Sequence, residues 1–198
     1  MHSIPTPDAS FVLVSRESLW LLPVPGDRSE RARLEERRGR LALSAYAVYA
    51  RTIDAREFDA LVVPVLRTLA TSTSRCMLVV QESNESFDAG RVRARTQLAR
   101  ELGIPSMVEI AGSWGPTMLE LLAAALPAYV RLPPEMLRGA STVPDVFRSL
   151  VTLGEFARER RIELVARNPE DGVELDAVRT AGIGLVQWTT HPEVLVSA

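Results

Sequence analysis

The chain has 198 residues, 46% of them hydrophobic, and a formal net charge of -2. It is long and apolar enough for one domain with a buried core, and its near-zero charge gives no general reason to expect nucleic acid or an anionic membrane as a partner. No apolar run reaches the about 18 residues of a spanning helix, residues 1–10 lack the pattern of a signal peptide, and the single cysteine, Cys76, fits a reducing cytoplasm, so we expect a cytoplasmic protein.

The first 40 residues differ in pattern from the rest and form a divergent N-terminal segment of the single domain predicted for residues 1–198. Phe11–Val14 and Leu19–Val24 are apolar and flank a short polar stretch, which predicts a β-hairpin. Residues 26–40 mix acidic and basic side chains densely. They predict a solvated helix or loop, and the alternative is a docking surface for a partner.

From residue 41 to residue 198, short apolar runs alternate with segments of helical periodicity. The predicted strands are Leu41–Tyr49, Arg75–Gln81, Pro105–Ile110, Tyr129–Leu132, Ile162–Ala166 and Gly184–Gln187. The predicted helices run from a cap at Asp54 to Ala70, then over Phe87–Leu102, Thr117–Leu126, Val143–Arg160 and from Glu170 to about Ala181. In the first of these helices the inward stripe is predicted to be Phe58, Leu61, Val62, Val65 and Leu69. The regular alternation of six strands with helices predicts a parallel sheet.

The segment from Leu164 to Trp188 reads LVARNPEDGVELDAVRTAGIGLVQW. It aligns without a gap with VVAEGVETEEELDALRALGVDYVQG, a late-barrel segment of the EAL phosphodiesterase domain, which cleaves the bacterial messenger cyclic di-GMP. Weaker similarities follow upstream in the same order as in that family. They are Arg51–Phe58, Arg75–Ser83, Leu98–Met107 and Ala128–Gly139, so that the resemblance covers roughly residues 45–193.

This resemblance implies a TIM-like (β/α) barrel. A complete barrel of this kind has eight strand–helix units in about 250 residues, whereas this chain is shorter and loses its units at the front. We therefore predict a truncated or modified EAL-type barrel in which the N-terminal hairpin/helix segment replaces missing strands, and the alternative is an open α/β sheet. Missing strands would leave unpaired sheet edges, which either the N-terminal hairpin covers or two chains pair across, and we predict a homodimer.

The chemistry of the family is implied to be lost. The first Glu of the family's EGVET loop aligns with Arg167 and the second with Glu170, while its LKID lysine aligns with Arg131. Of its paired aspartates only Glu109 is acidic here, and all 23 basic residues of this chain are arginines. A two-metal site needs several oxygen ligands that converge on cations about 3.5–4 Å apart. We thus expect no metal, no cofactor and no enzyme activity. The two arginines either bind a phosphate or carboxylate, or pair with Glu109 and Glu170 in a salt-bridge network, which is the prediction that we prefer.

Other residues near predicted strand ends invite weaker hypotheses. His191 is expected to be a surface loop residue rather than a catalytic base, and Glu82 and Glu85 to be capping or solvated residues rather than metal ligands. The segment Gly112–Gly115 is expected to be a tight turn rather than a phosphate loop. Trp114 and Trp188 are expected near the barrel mouth. If exposed there they suit a protein interface, and if buried they fill the space left by the lost ligands and substrate.

Three functions follow from these patterns. The first is a catalytically inactive module that regulates another cytoplasmic protein in bacterial signalling by direct contact, and this is the prediction. The alternative is a receptor that binds cyclic di-GMP without cleaving it, which the absence of the segment carrying the family's E-A-L motif disfavours. The third is an active hydrolase, which the residue types present disfavour.

Overall fold

A computed structural model describes residues 11–15, 18–19, 22–23, 43–44, 46–51, 56, 58–71, 76–82, 88–110, 116–169 and 172–187. The strands are β1 (Phe11–Ser15), β2 (Ser18–Leu19), β3 (Leu22–Pro23), β4 (Leu43–Ser44), β5 (Tyr46–Arg51), β6 (Cys76–Glu82), β7 (Ser106–Ile110), β8 (Tyr129–Leu132), β9 (Glu163–Arg167) and β10 (Leu185–Gln187). The helices are α1 (Val63–Ala70), which continues a π-helical turn (Phe58–Val62), α2 (Ala89–Glu101), α3 (Pro116–Ala125), α4 (Pro134–Leu137), α5 (Pro144–Glu159) and α6 (Gly172–Thr180).

The main sheet has eight strands in the order β1-β5-β6-β7-β8-β9-β10-β3. The six strands from β5 to β10 are parallel and follow one another in chain order, each joined to the next through a helical segment. The six predicted parallel strands, alternating with helices, are therefore confirmed. This sheet positions all six strand C-termini at one end of the molecule, which is the end where such folds carry their sites.

The N-terminal segment covers both edges of the parallel sheet, and this corrects the predicted hairpin. β1 pairs antiparallel with β5, and β3 pairs antiparallel with β10, whereas no ladder joins β1 to β3 among the described residues. The two apolar stretches satisfy open edges of a larger sheet instead of each other. The edge argument for a homodimer therefore no longer applies to β5 and β10, and the homodimer itself stays a prediction.

Chain connectivity requires the sheet to curve. In a flat sheet of eight strands, β1 and β3 would lie about 34 Å apart, at about 4.8 Å for each of seven spacings. Only seven residue steps link Ser15 to Leu22, which span at most about 25 Å when fully extended. The sheet therefore rolls up, and the N-terminal strands occupy the gap of an incomplete barrel as the sequence predicted.

The strand residues alternate between two apolar layers. On the outer face, the strands pack against the helices in a large cluster that includes Leu78, Val108 and Val130. On the inner face, a smaller cluster contains Met77, Val79, Met107 and Val165, with Tyr129 and Leu185 packed against it. Because both faces are apolar at mid-strand, polar side chains that point inward are confined to the strand ends.

Three of the turns that lead from a helix back into the sheet have the same geometry. In each, an isoleucine amide donates to a carbonyl five residues earlier, from Ile104 to Ala99, from Ile162 to Ala157 and from Ile183 to Val178. The residue before the isoleucine has a positive φ, as this kind of helix end requires. Glycine takes that position twice, as Gly103 at +70° and Gly182 at +77°, but the third turn uses Arg161 at +57°.

Local predictions along the helices are confirmed in part. In the last helix, predicted from Glu170 to about Ala181, the apolar residues at helical spacing are buried, namely Leu175, Val178 and Ala181, and Cys76 is buried in the outer cluster. The first helix differs, because its π-helical turn adds a residue and rotates the buried face. As a result Leu61 is 50% exposed, whereas Leu66 is fully buried. Asp54 lies outside the described residues. None of the described helices is long and apolar enough to cross a membrane.

Candidate functional site at the strand ends

Five polar side chains form one cluster at the C-terminal ends of consecutive strands, and we call it the strand-end cluster. Its members are Gln81 of β6, Glu109 of β7, Arg131 of β8, Arg167 of β9 and Gln187 of β10. The ladder register pairs Gln81 with Glu109, Glu109 with Arg131, and Arg167 with Gln187. Side chains in register point to the same face, so all five project into the barrel mouth.

Glu109 is the centre of the cluster because both of its carboxylate oxygens accept hydrogen bonds. Oε2 accepts from Arg131 Nη2 and from Gln81 Nε2, the latter at 2.5 Å, and Oε1 accepts from Arg167 Nη1 at 2.8 Å. Arg131 Nη1 also donates to Gln187 Oε1 at 3.2 Å. The five side chains thus form a continuous network across five strands.

The network carries one carboxylate and two guanidinium groups, which gives it a net charge of +1. Arg131 and Gln187 are each 2% exposed and Glu109 is 8% exposed. The Arg167 side chain is 33% exposed, and its buried Nε has no hydrogen-bond partner among the described residues. The surplus positive charge is therefore at Arg167, on the solvent side of the cluster.

The pKa of Glu109 is lowered below its ordinary value of 4.5. Burial alone would raise this pKa, because desolvation disfavours the carboxylate. The charge and hydrogen bond of Arg131, the hydrogen bond of Gln81 and the charge of Arg167 outweigh that effect. Glu109 is consequently ionised at neutral pH and acts as the counter-ion of both arginines.

The backbone beyond β9 fixes where Arg167 lies. Asn168 has a left-handed φ of +47°, a conformation that asparagine tolerates better than most residues, and its amide donates to the carbonyl of Gln187 at 2.8 Å. The chain therefore leaves the strand directly after Arg167. This places the guanidinium at the rim, within reach of Glu109 on β7.

Three of the four predicted site residues come together in this cluster. Arg131 and Arg167 both pair with Glu109, which confirms that part of the predicted salt-bridge network, and Glu170 lies outside the described residues. Sequence reasoning missed Gln81 and Gln187. Both stand at inward positions of strand ends, so strand alternation was the signal that would have found them.

The remaining candidates are not tested by the described structure. Glu82 is the last residue of β6, and its side chain is outside what the structure describes. Also outside are the tight turn and the other single residues, namely Gly112–Gly115, Glu85, Trp114, Trp188 and His191. Within the described ranges, no three His, Cys, Asp or Glu side chains are grouped so as to hold a metal ion.

The fold is similar to EAL domains of known structure. A standalone EAL protein from Vibrio cholerae, in a form with bound cyclic di-GMP, matches with a TM-score of 0.58 and 14% identity over 73% of this chain and 62% of that protein. The EAL domain of Mycobacterium smegmatis DcpA matches with a TM-score of 0.57 and 15% identity over 73% of this chain and 65% of that one.

A third structure extends the comparison. Bacillus subtilis YkuI, a protein with an EAL domain in complex with cyclic di-GMP and calcium, matches with a TM-score of 0.54 and 13% identity over 86% of this chain and 46% of that one. The chain thus spans less than two thirds of each of these proteins. No protein-family model matches the sequence, and no curated protein matches it significantly.

Proposed function

Because the chain has the fold of EAL domains, as its sequence resemblance predicted, we propose that it is a catalytically inactive domain of this fold that regulates another protein of bacterial signalling by direct contact. The observation that carries this proposal is the use of Glu109. Its two oxygens are occupied by Arg131, Arg167 and Gln81. At both oxygens a divalent cation would therefore compete with donors that are already in place.

The charges of the strand-end cluster support the same proposal. Metal-assisted hydrolysis needs oxygen ligands that concentrate negative charge around cations. The strand-end cluster carries a net charge of +1, and Arg131 is almost completely buried within it. A metal cation beside Arg131 would be repelled by the guanidinium at short range, because the site is poorly solvated.

Hydrolysis of cyclic di-GMP tests the loss of catalysis directly. The purified chain is incubated with the dinucleotide and with Mg²⁺ or Mn²⁺, and the linear product is measured by chromatography. We expect no product above the level of a boiled sample. Metal-dependent turnover would refute the proposal if Glu109→Gln changes its rate and the control Glu101→Gln does not. Glu101 is an exposed residue on α2.

The regulatory contact needs its own experiment. The immobilised chain is used to recover proteins from the cells in which it occurs, and each recovered candidate is purified and titrated against it. We expect one signalling protein to bind again in this purified system. If no candidate binds, the interaction proposal fails even when catalysis is absent.

The second candidate function is a receptor for cyclic di-GMP that does not cleave it. It is favoured by the surplus charge at Arg167, whose side chain is one-third exposed, so that its guanidinium can meet a phosphate. Calorimetric titration with and without Mg²⁺ separates the candidates. Under the first proposal no heat of binding is expected at high micromolar dinucleotide. For a receptor, Arg167→Met weakens binding by about tenfold or more, whereas Arg93→Met, an exposed control on α2, has no effect.

Oligomeric state is part of the proposal as well. We propose a homodimer that associates through strand edges contributed by the N-terminal segment, since β1 and β3 are the terminal strands of the sheet. Light scattering coupled to size-exclusion chromatography measures the mass. A monomer at every concentration would remove the dimer and leave the regulatory proposal unaffected.

A further inference from the structure

A polar cavity of about 310 Å³ opens at the end of the barrel opposite the strand-end cluster. It lies between the C-terminal end of α5, the start of β9 and the turn that leads into β10. Its lining includes Arg158, Arg161, Glu163, Gly182 and Gly184. The cavity is thus formed by two of the three similar helix-to-strand turns described above.

Two arginines line this cavity without partners. Neither Arg158 nor Arg161 makes a side-chain ion pair or hydrogen bond within the described part of the chain. The neighbouring Arg160 differs, because it pairs with Glu159 at 3.3 Å and stacks over the ring of Phe156. Adjacent arginines in one turn therefore have separate roles, and only two of them face the cavity.

The backbone at Arg161 is held in a conformation that favours glycine. Its φ of +57° matches those of Gly103 and Gly182 in the equivalent turns, where the chain does use glycine. A left-handed conformation is unfavourable for a residue with a Cβ. The position therefore carries a long cationic side chain at a conformational cost, and the cavity is where that side chain lies.

The opposite wall is open because it is made of glycine. A Cβ at Gly182 or Gly184 would meet no atom within 4 Å, so a side chain there would extend into free space. The floor is rigid by contrast, since α5 approaches the turn so closely at Gly154 that a Cβ would overlap the carbonyl oxygen of Ala181. The cavity has a fixed base, a cationic wall and an unobstructed wall.

From this arrangement we propose that the cavity is a binding site for a small phosphorylated molecule with a hydroxyl group close to its phosphate. Arg158 and Arg161 are the donors for the phosphate, because guanidinium groups match its oxygens in geometry and charge. Glu163, which also lines the cavity, accepts the hydrogen bond of the hydroxyl. The volume is at the lower limit of small-molecule sites, which restricts the ligand to a few carbon atoms.

This site goes beyond the proposed regulatory function, because it is at the opposite end of the barrel and shares no residue with the strand-end cluster. Its existence does not depend on whether the chain binds cyclic di-GMP or a protein. Experiments can refute the proposals made for the strand-end cluster without affecting the proposed cavity site. They can likewise refute the cavity site without affecting those proposals.

Calorimetric titration of the full chain with glycerol 3-phosphate, inorganic phosphate and succinate tests the proposal. We expect saturable binding of glycerol 3-phosphate with a Kd below about 1 mM, weaker binding of inorganic phosphate and none of succinate. Binding weakens on addition of salt, as for any exposed charge pair. Absence of saturable heat with glycerol 3-phosphate, or tighter binding of succinate, would overturn the assignment.

Variants separate a ligand site from a structural role. Arg161→Gly removes a donor yet relieves the left-handed strain, so we expect Tm to rise by about 2–4 °C while binding weakens by at least about tenfold. Gly184→Leu fills the open wall and abolishes binding, although both arginines remain. Glu163→Ala weakens binding of glycerol 3-phosphate and strengthens that of inorganic phosphate, because it removes both an acceptor and a negative charge.

Arg160→Met is the matched control, since it removes one positive charge from the same turn outside the cavity. We expect the affinity for glycerol 3-phosphate to stay within about twofold. If Arg160→Met weakens binding as much as Arg161→Gly does, the effect is one of general surface charge and the site is refuted. Unchanged binding in Gly184→Leu would refute it independently.

Discussion

Replacing Glu109 by glutamine is the most informative change at the strand-end cluster. The substitution keeps the size of the side chain and one acceptor oxygen, but it removes the negative charge between Arg131 and Arg167. Arg131 is 2% exposed, so its charge stays buried with Gln187 as a neutral partner at 3.2 Å. Breaking a buried ion pair by removing one partner typically costs about 3–5 kcal/mol.

The size of the effect can be worked out for this site. Glutamine still accepts one hydrogen bond, so we expect about 3 kcal/mol for Glu109→Gln and about 5 kcal/mol for Glu109→Ala. With a urea m-value of about 2 kcal/mol/M, the unfolding midpoint falls by about 1.5–2.5 M. Glu101→Gln, at an exposed position where Gln97 is the partner, should change stability by less than about 0.5 kcal/mol.

The pH dependence gives the prediction a second, independent readout. The pKa of Glu109 is lower in the folded chain than its ordinary value of 4.5, so the unfolded chain binds the proton more readily. The stabilisation by Glu109 is therefore complete above about pH 5 and is lost as the pH falls through the lower, folded pKa. The stability gap between the native chain and Glu109→Gln should be constant near neutrality and shrink in that acid window.

Two results would refute this reasoning. A stability loss below about 1 kcal/mol would mean that Arg131 does not depend on the carboxylate for its charge balance. A gap that stays the same from neutral pH down to pH 3 would mean that the charge of Glu109 is not what stabilises the cluster. Chemical unfolding followed by circular dichroism at each pH measures both quantities.

Three further changes have outcomes that follow from single contacts. Gly154→Ala places a methyl group on the carbonyl oxygen of Ala181, so we expect a loss of about 1–3 kcal/mol in unfolding free energy, and an unchanged urea midpoint would contradict the close approach. Cys76 is buried, and burial raises the pKa of its thiol. A thiol reagent should therefore label the folded chain at least about tenfold more slowly than the urea-unfolded chain. Equal labelling rates would show that the strand is open. Asp88→Ala removes the acceptor for the Arg91 amide at the start of α2 and should cost about 0.5–2 kcal/mol, whereas Asp88→Asn should retain most of the stability; equal losses in both would exclude capping as the cause.

The parallel strands were predictable because their apolar runs are short and continuous. A strand covered on both faces carries apolar side chains along most of its length, and Tyr129–Leu132, apolar except for Arg131, was predicted with the bounds that β8 has. The helices between the strands were predictable for a related reason. Their apolar spacing is local, and each stripe is decided by residues within a few turns of one another.

The N-terminal strands were predicted as strands but given the wrong partners. Phe11–Ser15 and Leu22–Pro23 pair with β5 and β10, whose residues lie far away in sequence. An apolar stretch shows that a strand needs burial and hydrogen bonds, and a short polar break between two stretches favours a hairpin. The pairing is determined instead by the six-stranded parallel sheet, whose two open edges these strands cover.

The strand-end cluster was predictable as far as the family resemblance revealed it. Glu109, Arg131 and Arg167 were recognised because they align with the acidic and lysine positions of the EAL motifs. Gln81 and Gln187 carry no charge and were missed, although they supply a donor to Glu109 and an acceptor to Arg131. A buried ion pair needs such neutral partners to satisfy its remaining donors and acceptors. The inward positions of neighbouring strand ends were therefore the place to look.

The two arginines around the carboxylate of Glu109 follow from the cost of burying a negative charge. A carboxylate buried at a barrel mouth is unfavourable unless positive charge lies beside it. In the EAL domains that the sequence resembles, metal cations are implied to supply that charge, whereas here Arg131 and Arg167 supply it through covalently attached groups. We propose that the two arrangements are incompatible, because a divalent cation would compete at each oxygen with a guanidinium that already donates to it. Replacing Arg167 alone would leave Arg131 and Gln81 on Oε2 and free only one oxygen, which is too few to hold a metal pair.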